Sequence, residues 1–231
     1  MIHIQIFDDL ATFISPAIHT DRHKHHALEV IVSMKGEIQI ADAFGNTFTS
    51  QAAVVLPDQL HQTITTGEAA FIFIEPESDL ANAILTAFKP TQSVQSIVNR
   101  ISEADRKTFT EGHIPSKFIK TIKSLNLIDD RIQTATDFIR SHITTHEFSL
   151  EMLAEIACLS TSRFTHLFKA QVGIPIRPFI LWCRMRVAVT SVLSGMTLTQ
   201  AAHEAGFSDT AHLSRTFMDM FGVNPSTVLK Q

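Results

Sequence analysis

The sequence lacks several features that define well-known protein classes. Its 231 residues include only two cysteines, too few for a disulfide framework or for a set of zinc-finger ligands. The longest stretches without a charged side chain, 43–57 and 187–203, are too short and too polar to cross a bilayer. The first ten residues include Asp8 and Asp9 and lack the basic start and apolar core of a signal peptide. We therefore expect a soluble, cytoplasmic protein with no membrane partner.

Positive charge is also scarce. The chain has 19 Lys and Arg residues against 23 Asp and Glu residues, which gives a net charge of −4, so it is not a polycation that coats nucleic acid. The deficit is uneven, however. Residues 1–139 carry 11 basic and 17 acidic side chains, whereas residues 140–231 carry 8 and 6. This asymmetry predicts two halves with different partners.

The two halves also differ in their hydrophobic pattern. Between Leu28 and Glu75, short β-branched and aliphatic runs separated by Gly, Asn and Pro predict the antiparallel strands of a small sandwich or barrel. From about Asp129 onward the apolar residues follow the 3.6-residue period of helices. The predicted fold is therefore α+β, with two domains. We expect a β-barrel domain, a helical connector that is a candidate dimerisation element, and an all-α domain over residues 1–90, 91–128 and 129–231.

The helical part contains an internal repeat. An apolar helix face recurs 48 positions later with a matching cap, Ser149 before the first copy and Thr197 before the second. The faces consist of Leu150, Leu153, Ala154 and Ala157, then Leu198, Ala201, Ala202 and Ala205. Each copy predicts a helix, a short turn and a second helix, over residues 149–173 and 197–222. A linking helix of roughly 17 residues, about 25 Å long, is predicted between them.

A helix-turn-helix unit is a shape that places its second helix in the major groove of DNA. Burial of the apolar positions leaves small and polar side chains on the outer faces of the two second helices. The candidate DNA-binding residues are Ser162, Arg163, Thr165, His166 and Lys169 in the first unit, and Thr210, Ala211, Ser214 and Arg215 in the second. The plainer alternative is a helical bundle with solvated polar faces. Two copies with matched caps and a locally basic charge favour DNA binding.

The region 131–229 resembles the double helix-turn-helix domain of the AraC/XylS transcription regulators. The motifs that carry the resemblance are SLEMLAEIACLSTSRFTHLFKAQVG, the arginine of WCRMRVAV, and AAHEAGFSDTAHLSRTFMDMFGVNPS. The resemblance implies base-reading positions at Ser162, Thr165, His166, Ala211, Ser214 and Arg215, with Lys169 on phosphate. It also implies a small cupin-like β-barrel as the first domain. The chain departs from the family at Cys158, where glycine is usual in the first turn.

Histidine is concentrated in the first domain, where His23, His25 and Glu29 share one parity and therefore one face of a strand, while His26 points away. The run resembles a first cupin motif, and Pro57 to His61 resembles an abbreviated second one. If His61 faces the same interior, the four side chains suit one divalent metal ion such as Zn²⁺, Ni²⁺, Mn²⁺ or Fe²⁺. The alternative is a set of surface histidines on a barrel that binds a small organic effector without metal.

These features together favour a transcription regulator that binds double-stranded DNA, is controlled by a small molecule or a metal ion, and acts as a homodimer. We do not expect an enzyme. Two alternatives remain open at this stage. One is a metal-dependent cupin enzyme with a helical appendage, and the other is a regulator whose barrel serves only dimerisation.

Overall fold

The chain divides into two compact units in the computed structural model. The described residues are 3–111, 113–116, 128–145 and 147–229. The first unit comprises Met1–Ser124 and Phe217–Val228, and the second comprises Leu125–Thr216 and Leu229–Gln231. The first is rich in strands and the second is helical, so the predicted α+β fold class is confirmed. Within the described part of the chain, none of the helices is both long and apolar enough to cross a membrane.

The described part of the first unit contains nine strands in two antiparallel sheets. The strands are β1 His3–Ile6, β2 Leu10–Ser15, β3 Leu28–Ser33, β4 Ile38–Ala41, β5 Thr47–Ser50, β6 Ala52–Val55, β7 Gln62–Thr65, β8 Ala69–Ile74 and β9 Val94–Ser96. Six of them form one sheet in the order β1-β2-β8-β3-β6-β9, and the other three form a sheet in the order β5-β4-β7. The antiparallel strands agree with the prediction from the short apolar runs.

Strand β3 lies at the centre of the larger sheet and is buried along its whole length. On one face, Val30 belongs to a cluster that includes Ile72 and Ile84. On the other face, Ile31 belongs to a cluster that also includes Ile38 from the smaller sheet. Each fully buried aliphatic side chain of this kind contributes about 1.5–3 kcal/mol to folding. The larger sheet is therefore covered on both faces.

Two helices follow strand β8 in the first unit, α1 Asp79–Phe88 and α2 Glu103–Thr110, with a 3₁₀ turn at Val98–Arg100 between them. Part of this region falls within the predicted connector, residues 91–128. Its apolar side chains Ile97 and Phe109 are fully buried in the same core as Val30. Residues 117–127 of that connector lie outside the described residues, and its role in dimerisation stays a prediction.

The helical part follows the predicted repeat. Its helices are α3 Asp130–His142, α4 Leu150–Ile156, α5 Thr161–Val172, α6 Ile176–Leu193, α7 Leu198–Glu204, α8 Thr210–Phe221 and α9 Pro225–Val228. The last turn of α8, from Phe217, is grouped with the first unit, as is α9. The linking helix α6 has 18 residues, which corresponds to about 27 Å. Phe164 and Phe168 are fully buried in the core of the first copy.

The predicted caps are present at the starts of these helices. The Ser149 side chain accepts a hydrogen bond from the main-chain N–H of Met152, and Thr197 forms a capping box with Gln200. Helix α5 begins directly after Ser160, whereas α8 begins two residues after Ser208. Asp209 directly precedes α8, and its carboxylate accepts the N–H of His212 at 2.7 Å. Asp209 is therefore the cap of α8.

Candidate DNA-binding face and candidate metal centre

Helix α5 presents a polar outer face. Burial of Phe164 and Phe168 turns the opposite side of the helix toward solvent. The five predicted contact residues on it are all exposed, namely Ser162, Arg163, Thr165, His166 and Lys169. Four of these side chains, those of Ser162, Thr165, His166 and Lys169, also line an open groove beside the helix. The structure thus places the predicted contact residues of the first copy on one accessible surface.

Helix α8 presents a similar face with shorter side chains. Ala211 and Arg215 are exposed, and Ser214 is half-buried. Thr210 is also half-buried, and its hydroxyl donates to the hydroxyl of Thr199 on α7 at 3.1 Å. Hydrogen bonding ties Thr210 to the preceding helix, so it has less freedom to contact DNA than the other three side chains.

Asp209 is a charged neighbour of this face that the sequence analysis did not single out. The N–H of His212, the Ser208 hydroxyl and the positive charge of Arg215 hold the pKa of Asp209 below its usual range. Its negative charge therefore lies close to Arg215, the longest donor on α8. The only signal in the sequence was an acidic residue at a helix start, which is typical of a cap.

The turns within the two copies have equivalent backbone geometry. Cys158 in the first copy has φ +51°, and Gly206, 48 positions later, has φ +75°. Left-handed backbone favours glycine because a side chain there crowds the main chain. This explains why glycine is usual at the position of Cys158, and it means that this chain tolerates local strain in its first turn.

The candidate metal centre brings together two distant segments of the first unit. His23 and His61 form an isolated antiparallel bridge, in which each main-chain N–H donates to the other residue's carbonyl oxygen at 2.9 and 3.0 Å. His25 lies beside them, and one ring nitrogen from each of the three histidines lies within 4.8 Å of the others. All three predicted histidine ligands therefore meet in one place.

The candidate ligands do not share a single strand, in contrast to the prediction. Strand β3 begins only at Leu28, so Glu29 is the one candidate ligand within it. His23 is held by its bridge to His61, and His25 lies in the irregular segment between that bridge and the strand. The prediction that these side chains lie together is confirmed, but His23 and His25 are not on the same strand as Glu29.

The orientation of the three rings is set by main-chain carbonyls. Nδ1 of His23 contacts the carbonyl oxygen of Asp21 at 2.9 Å, Nδ1 of His61 contacts that of Gln59 at 2.9 Å, and Nδ1 of His25 contacts that of Ala27 at 3.2 Å. A carbonyl oxygen only accepts, so each Nδ1 carries the proton. The Nε2 atoms thus point away from these carbonyls, as in histidines that bind metals, and the facing Glu29 carboxylate raises the pKa of His61 despite its burial.

Glu29 completes the cluster. Its Oε2 lies 3.4 Å from Nε2 of His25 and 3.2 Å from Nε2 of His61. All three atoms are buried and none has an aligned hydrogen-bond partner within the described ranges. Unsatisfied buried polar atoms are costly. Three such atoms face one another in this cluster.

The charges of the cluster depend on its burial. Burial, together with the neighbouring His61 and His25 rings, lowers the pKa of His23 to about 3. Burial alone would raise the pKa of Glu29, but the facing His25 and His61 rings outweigh it and hold that pKa well below its usual range. The cluster therefore offers a neutral imidazole and an ionised carboxylate near neutral pH, which are the protonation states that metal binding requires.

His26 points away from the cluster, as predicted, into a second buried group. Its Nδ1 lies 3.2 Å from a carboxylate oxygen of Asp58, and its Nε2 lies 2.5 Å from Glu77. Burial would lower the pKa of His26, yet the two carboxylates raise it to about 9. Asp58 also donates its main-chain N–H to the carbonyl oxygen of His25 at 2.8 Å. This group joins the segment that carries His25 to the segment that leads to His61.

Sequence reasoning did not find Asp58 and Glu77. They lie 32 and 51 residues from His26 in the sequence, and no spacing rule relates them. The only local signal was that His26 has the opposite parity to the candidate ligands. Long-range packing alone determines which carboxylates it meets.

Comparisons with known proteins agree with the helix-turn-helix geometry. A family of helix-turn-helix domains matches residues 153–231. The arabinose operon regulatory protein of Escherichia coli (strain K12) is 30% identical over 103 residues, which are 43% of this chain and 34% of that protein. The probable transcriptional regulator LumQ of Photobacterium leiognathi is 28% identical over 108 residues, 46% of this chain and 41% of that protein. The match thus spans well under half the length of these curated relatives.

Solved structures extend the similarity to the whole fold. The structure of ToxT from Vibrio cholerae has a TM-score of 0.64 and 12% identity, with coverage of 96% of this chain and 98% of that one. A second ToxT structure, with an unsaturated fatty acid bound, has a TM-score of 0.61 at 12% identity, over 97% of both chains. At this identity the likeness concerns the fold alone. The matched family shows a helix-turn-helix domain over residues 153–231, and this domain is similar to parts of the two curated relatives.

Proposed function

We propose that the protein is a sequence-specific DNA-binding transcription regulator in which α5 and α8 read DNA. The observation that carries this proposal is the repeat, because two helices with equivalent buried faces present exposed donors at equivalent positions. An α-helix fits the major groove, and half-sites one helical turn apart are separated by roughly 34 Å. The linking helix, at about 27 Å with a reading helix beyond each end, is of suitable length for two successive grooves.

The side chains suggest a division of labour between base and phosphate contacts. Arg215 suits a bidentate contact with guanine, and Ala211 suits a thymine methyl group. Ser162, Thr165 and His166 are the corresponding candidates on α5, and Lys169 is suited to a phosphate. Base contacts carry specificity, so Arg215 is the most informative residue to change.

A binding assay with a matched control tests this function. The probe is a labelled duplex from the region upstream of the protein's own gene, with unrelated DNA of equal length as competitor. We expect Arg215→Ala combined with Ser214→Ala to weaken specific binding at least tenfold. Arg100→Ala removes the same charge from an exposed position on the first unit and should bind as the wild type does. Unchanged binding by the double variant would disprove the assignment of α8.

We further propose that the first unit holds one divalent transition-metal ion, with His23, His25, Glu29 and His61 as ligands. Three imidazoles and a carboxylate suit Zn²⁺, Ni²⁺, Mn²⁺ or Fe²⁺. The unsatisfied Nε2 atoms of His25 and His61 and the Oε2 atom of Glu29 support this proposal. The ion would supply the positive charge that these buried atoms otherwise lack.

Elemental analysis after metal-replete purification tests the metal site. We expect about one ion per chain in the wild type and none in the variant His23→Ala with His25→Ala. The matched control is His3→Ala with His19→Ala, which removes two exposed histidines from the same unit and should keep the ion. Wild-type protein without metal would refute the site and favour an organic effector, the class of ligand described for the fatty-acid-bound ToxT structure.

The alternative of a metal-dependent cupin enzyme has less support. The candidate ligands are between 1% and 4% exposed, so a substrate has little access to an ion held there. A homodimer is also proposed, as is usual for regulators that bind paired half-sites. Light scattering on the full chain would measure its oligomeric state. A dimer that forms without any effector or metal would favour the alternative in which the barrel serves only dimerisation.

A further inference from the structure

The segment Phe217–Val228, which belongs to the first unit, contacts the loop that carries two of the metal-ligand candidates. The main-chain N–H of Asp21 donates to the carbonyl oxygen of Gly222 at 2.7 Å, and that of Lys24 donates to Asp219 at 3.4 Å. These two bonds flank His23 in the sequence. The position of the His23 loop and the position of this C-terminal segment are therefore linked through the main chain.

Gly222 approaches this loop more closely than any other residue type could. A Cβ atom at this position would lie 2.4 Å from the carbonyl oxygen of Asp21 and 2.7 Å from Nδ1 of His23. Its φ of +67° is also in the left-handed region that favours glycine. The same Asp21 carbonyl accepts the Nδ1 proton of His23. Gly222 thus lies against the hydrogen bond that orients a candidate ligand.

Phe221 lies beside the second ligand of the loop. Its ring centroid is 6.3 Å from that of His25 and 5.6 Å from that of Phe73. Phe73 in turn contacts His25 edge-on, with centroids 5.2 Å apart. A change in the position of the His25 ring would therefore displace the aromatic side chains packed around it.

Phe221 is also the last residue of α8. The same helix carries Ala211, Ser214 and Arg215 on its exposed face. Phe221 lies six positions after Arg215, a rise of about 9 Å along a continuous helix. Helix α8 is therefore a continuous connection between Phe221 and the residues that are proposed to contact DNA.

We propose that a divalent transition-metal ion bound by His23, His25, Glu29 and His61 is itself the regulatory signal, and that Phe221 and Gly222 transmit its presence to helix α8. This inference rests on the proposed function. The four ligands are almost fully buried, which suits a bare ion better than an ion that carries an organic molecule. Binding of the ion fixes the rings of His23 and His25. The His25 ring packs against Phe221, and His23 lies against Gly222, so these contacts position the two residues.

Coupling between metal binding and DNA binding can be measured as a change in the two dissociation constants. Allosteric coupling typically changes an affinity by 5- to 150-fold, and the effect is reciprocal. We expect saturating metal to change the dissociation constant for DNA by fivefold or more. Specific DNA should change the dissociation constant for the metal by the same factor. Reciprocity separates true coupling from a general effect of divalent cations on DNA.

The test measures DNA and metal binding on the full chain with Zn²⁺, Ni²⁺, Mn²⁺ and Fe²⁺ supplied singly. Phe221→Leu and Phe221→Ala are compared with the wild type and with Phe44→Ala, a control whose aromatic ring is 89% exposed. Hydrogen exchange at the Asp21 and Lys24 amides provides a second readout, since both amides donate to the segment. We expect metal to slow exchange at both amides in the wild type, and to do so less in the Phe221 variants.

Support requires that the Phe221 variants keep one ion per chain and still bind DNA, while the metal-dependent change in DNA affinity falls below twofold. Wild-type protein that binds both metal and DNA without any change in either affinity would overturn the inference and leave the proposed function standing. A full metal effect in both Phe221 variants would remove Phe221 from the transmission. A wild type that binds no metal, or no DNA, would refute the corresponding part of the proposed function and this inference with it.

Discussion

His23 and His61 are 38 positions apart in the sequence, yet each donates its main-chain N–H to the other, and their ring centroids lie 4.2 Å apart. Such a bridge holds two imidazoles on the same side of the main chain with little freedom. The bridge lies at the junction of two segments that are also joined by the contacts of Asp58 and by hydrogen bonds between Thr20 and Thr63. A ligand that binds both rings therefore holds both segments in their folded arrangement.

The first prediction concerns the stability that a metal ion provides. A ligand that binds only the folded state stabilises it by about 2.7 kcal/mol when its free concentration is 100 times its dissociation constant. We expect this increase in the free energy of unfolding when chelator-treated protein is loaded with metal, measured by denaturant titration. His61→Ala should lose the increase, and His3→Ala should retain it. Equal stability with and without metal would contradict the prediction.

The second prediction concerns the buried group around His26. The side chain of Glu77 is 4% exposed and that of Asp58 is 33% exposed, so Glu77 is the more costly partner to lose. We expect Glu77→Gln to lower the free energy of unfolding at neutral pH by about 1–3 kcal/mol, and Asp58→Asn to lower it by less. Asparagine tolerates the left-handed backbone that Asp58 adopts at φ +60°, so the second variant tests the charge alone. The reverse order in urea titration would show that solvent exposure does not govern these contacts.

The variant Asp58→Asn also tests how the group around His26 affects the affinity of the site for metal. Residues that support the first ligands of a metal site typically change its affinity 10- to 100-fold when mutated. Asp58 holds the carbonyl of His25 through its own N–H, which Asp58→Asn leaves in place. We therefore expect Asp58→Asn to weaken metal binding by no more than about tenfold, as measured by competition with a chromogenic chelator. Complete loss of the ion would assign Asp58 a direct role.

The third prediction concerns the strained turn at Cys158. A residue with a side chain in the left-handed region costs roughly 1–2 kcal/mol, and part of this is offset by the greater flexibility of glycine when unfolded. We expect Cys158→Gly to raise the free energy of unfolding of the helical unit by about 0.5–1 kcal/mol. Ala157→Gly, at the preceding residue with φ −78°, should lower it instead. Stabilisation by both variants would mean that backbone strain is not the cause.

The fourth prediction concerns the salt dependence of DNA binding. Each neutralised phosphate contributes about −0.9 to the slope of log K against log salt concentration. The small positive charge of the helical half implies a moderate slope. Lys169→Ala should reduce its magnitude by about 1 without changing the preferred sequence. Lys35→Ala, an exposed lysine in the first unit, should leave the slope unchanged, and an equal reduction in both variants would refute a specific phosphate contact.

Much of the helical unit could be predicted because its determinants are local. Helix faces, caps and turns depend on residues three or four positions apart, and the repeat supplied each of them twice. The one local detail that was missed, Asp209 as the cap of α8, followed from an ambiguity between two adjacent capping residues, Ser208 and Asp209.

The candidate metal cluster was predictable in its membership and not in its geometry. Histidine and glutamate at even spacing indicated a common face, but the strand that carries Glu29 begins after His23 and His25. Cross-strand pairing with His61 brings these residues together, and such pairing depends on the fold of the whole sheet. The partners of His26 and the contacts of Phe221 are equally remote in sequence, so local patterns contain no information about them.

Glu29 places a carboxylate inside the central strand of the larger sheet, between Leu28 and Val30. Holding an ionised group there costs several kcal/mol unless an opposite charge compensates for it. If the proposed metal ion compensates for this charge, chains without it would open more often, and cellular proteases remove opened chains continuously. With a metal at this site, the lifetime of the regulator in the cell would depend on metal supply, so that starvation for the ion would lower the number of regulator molecules as well as their occupancy.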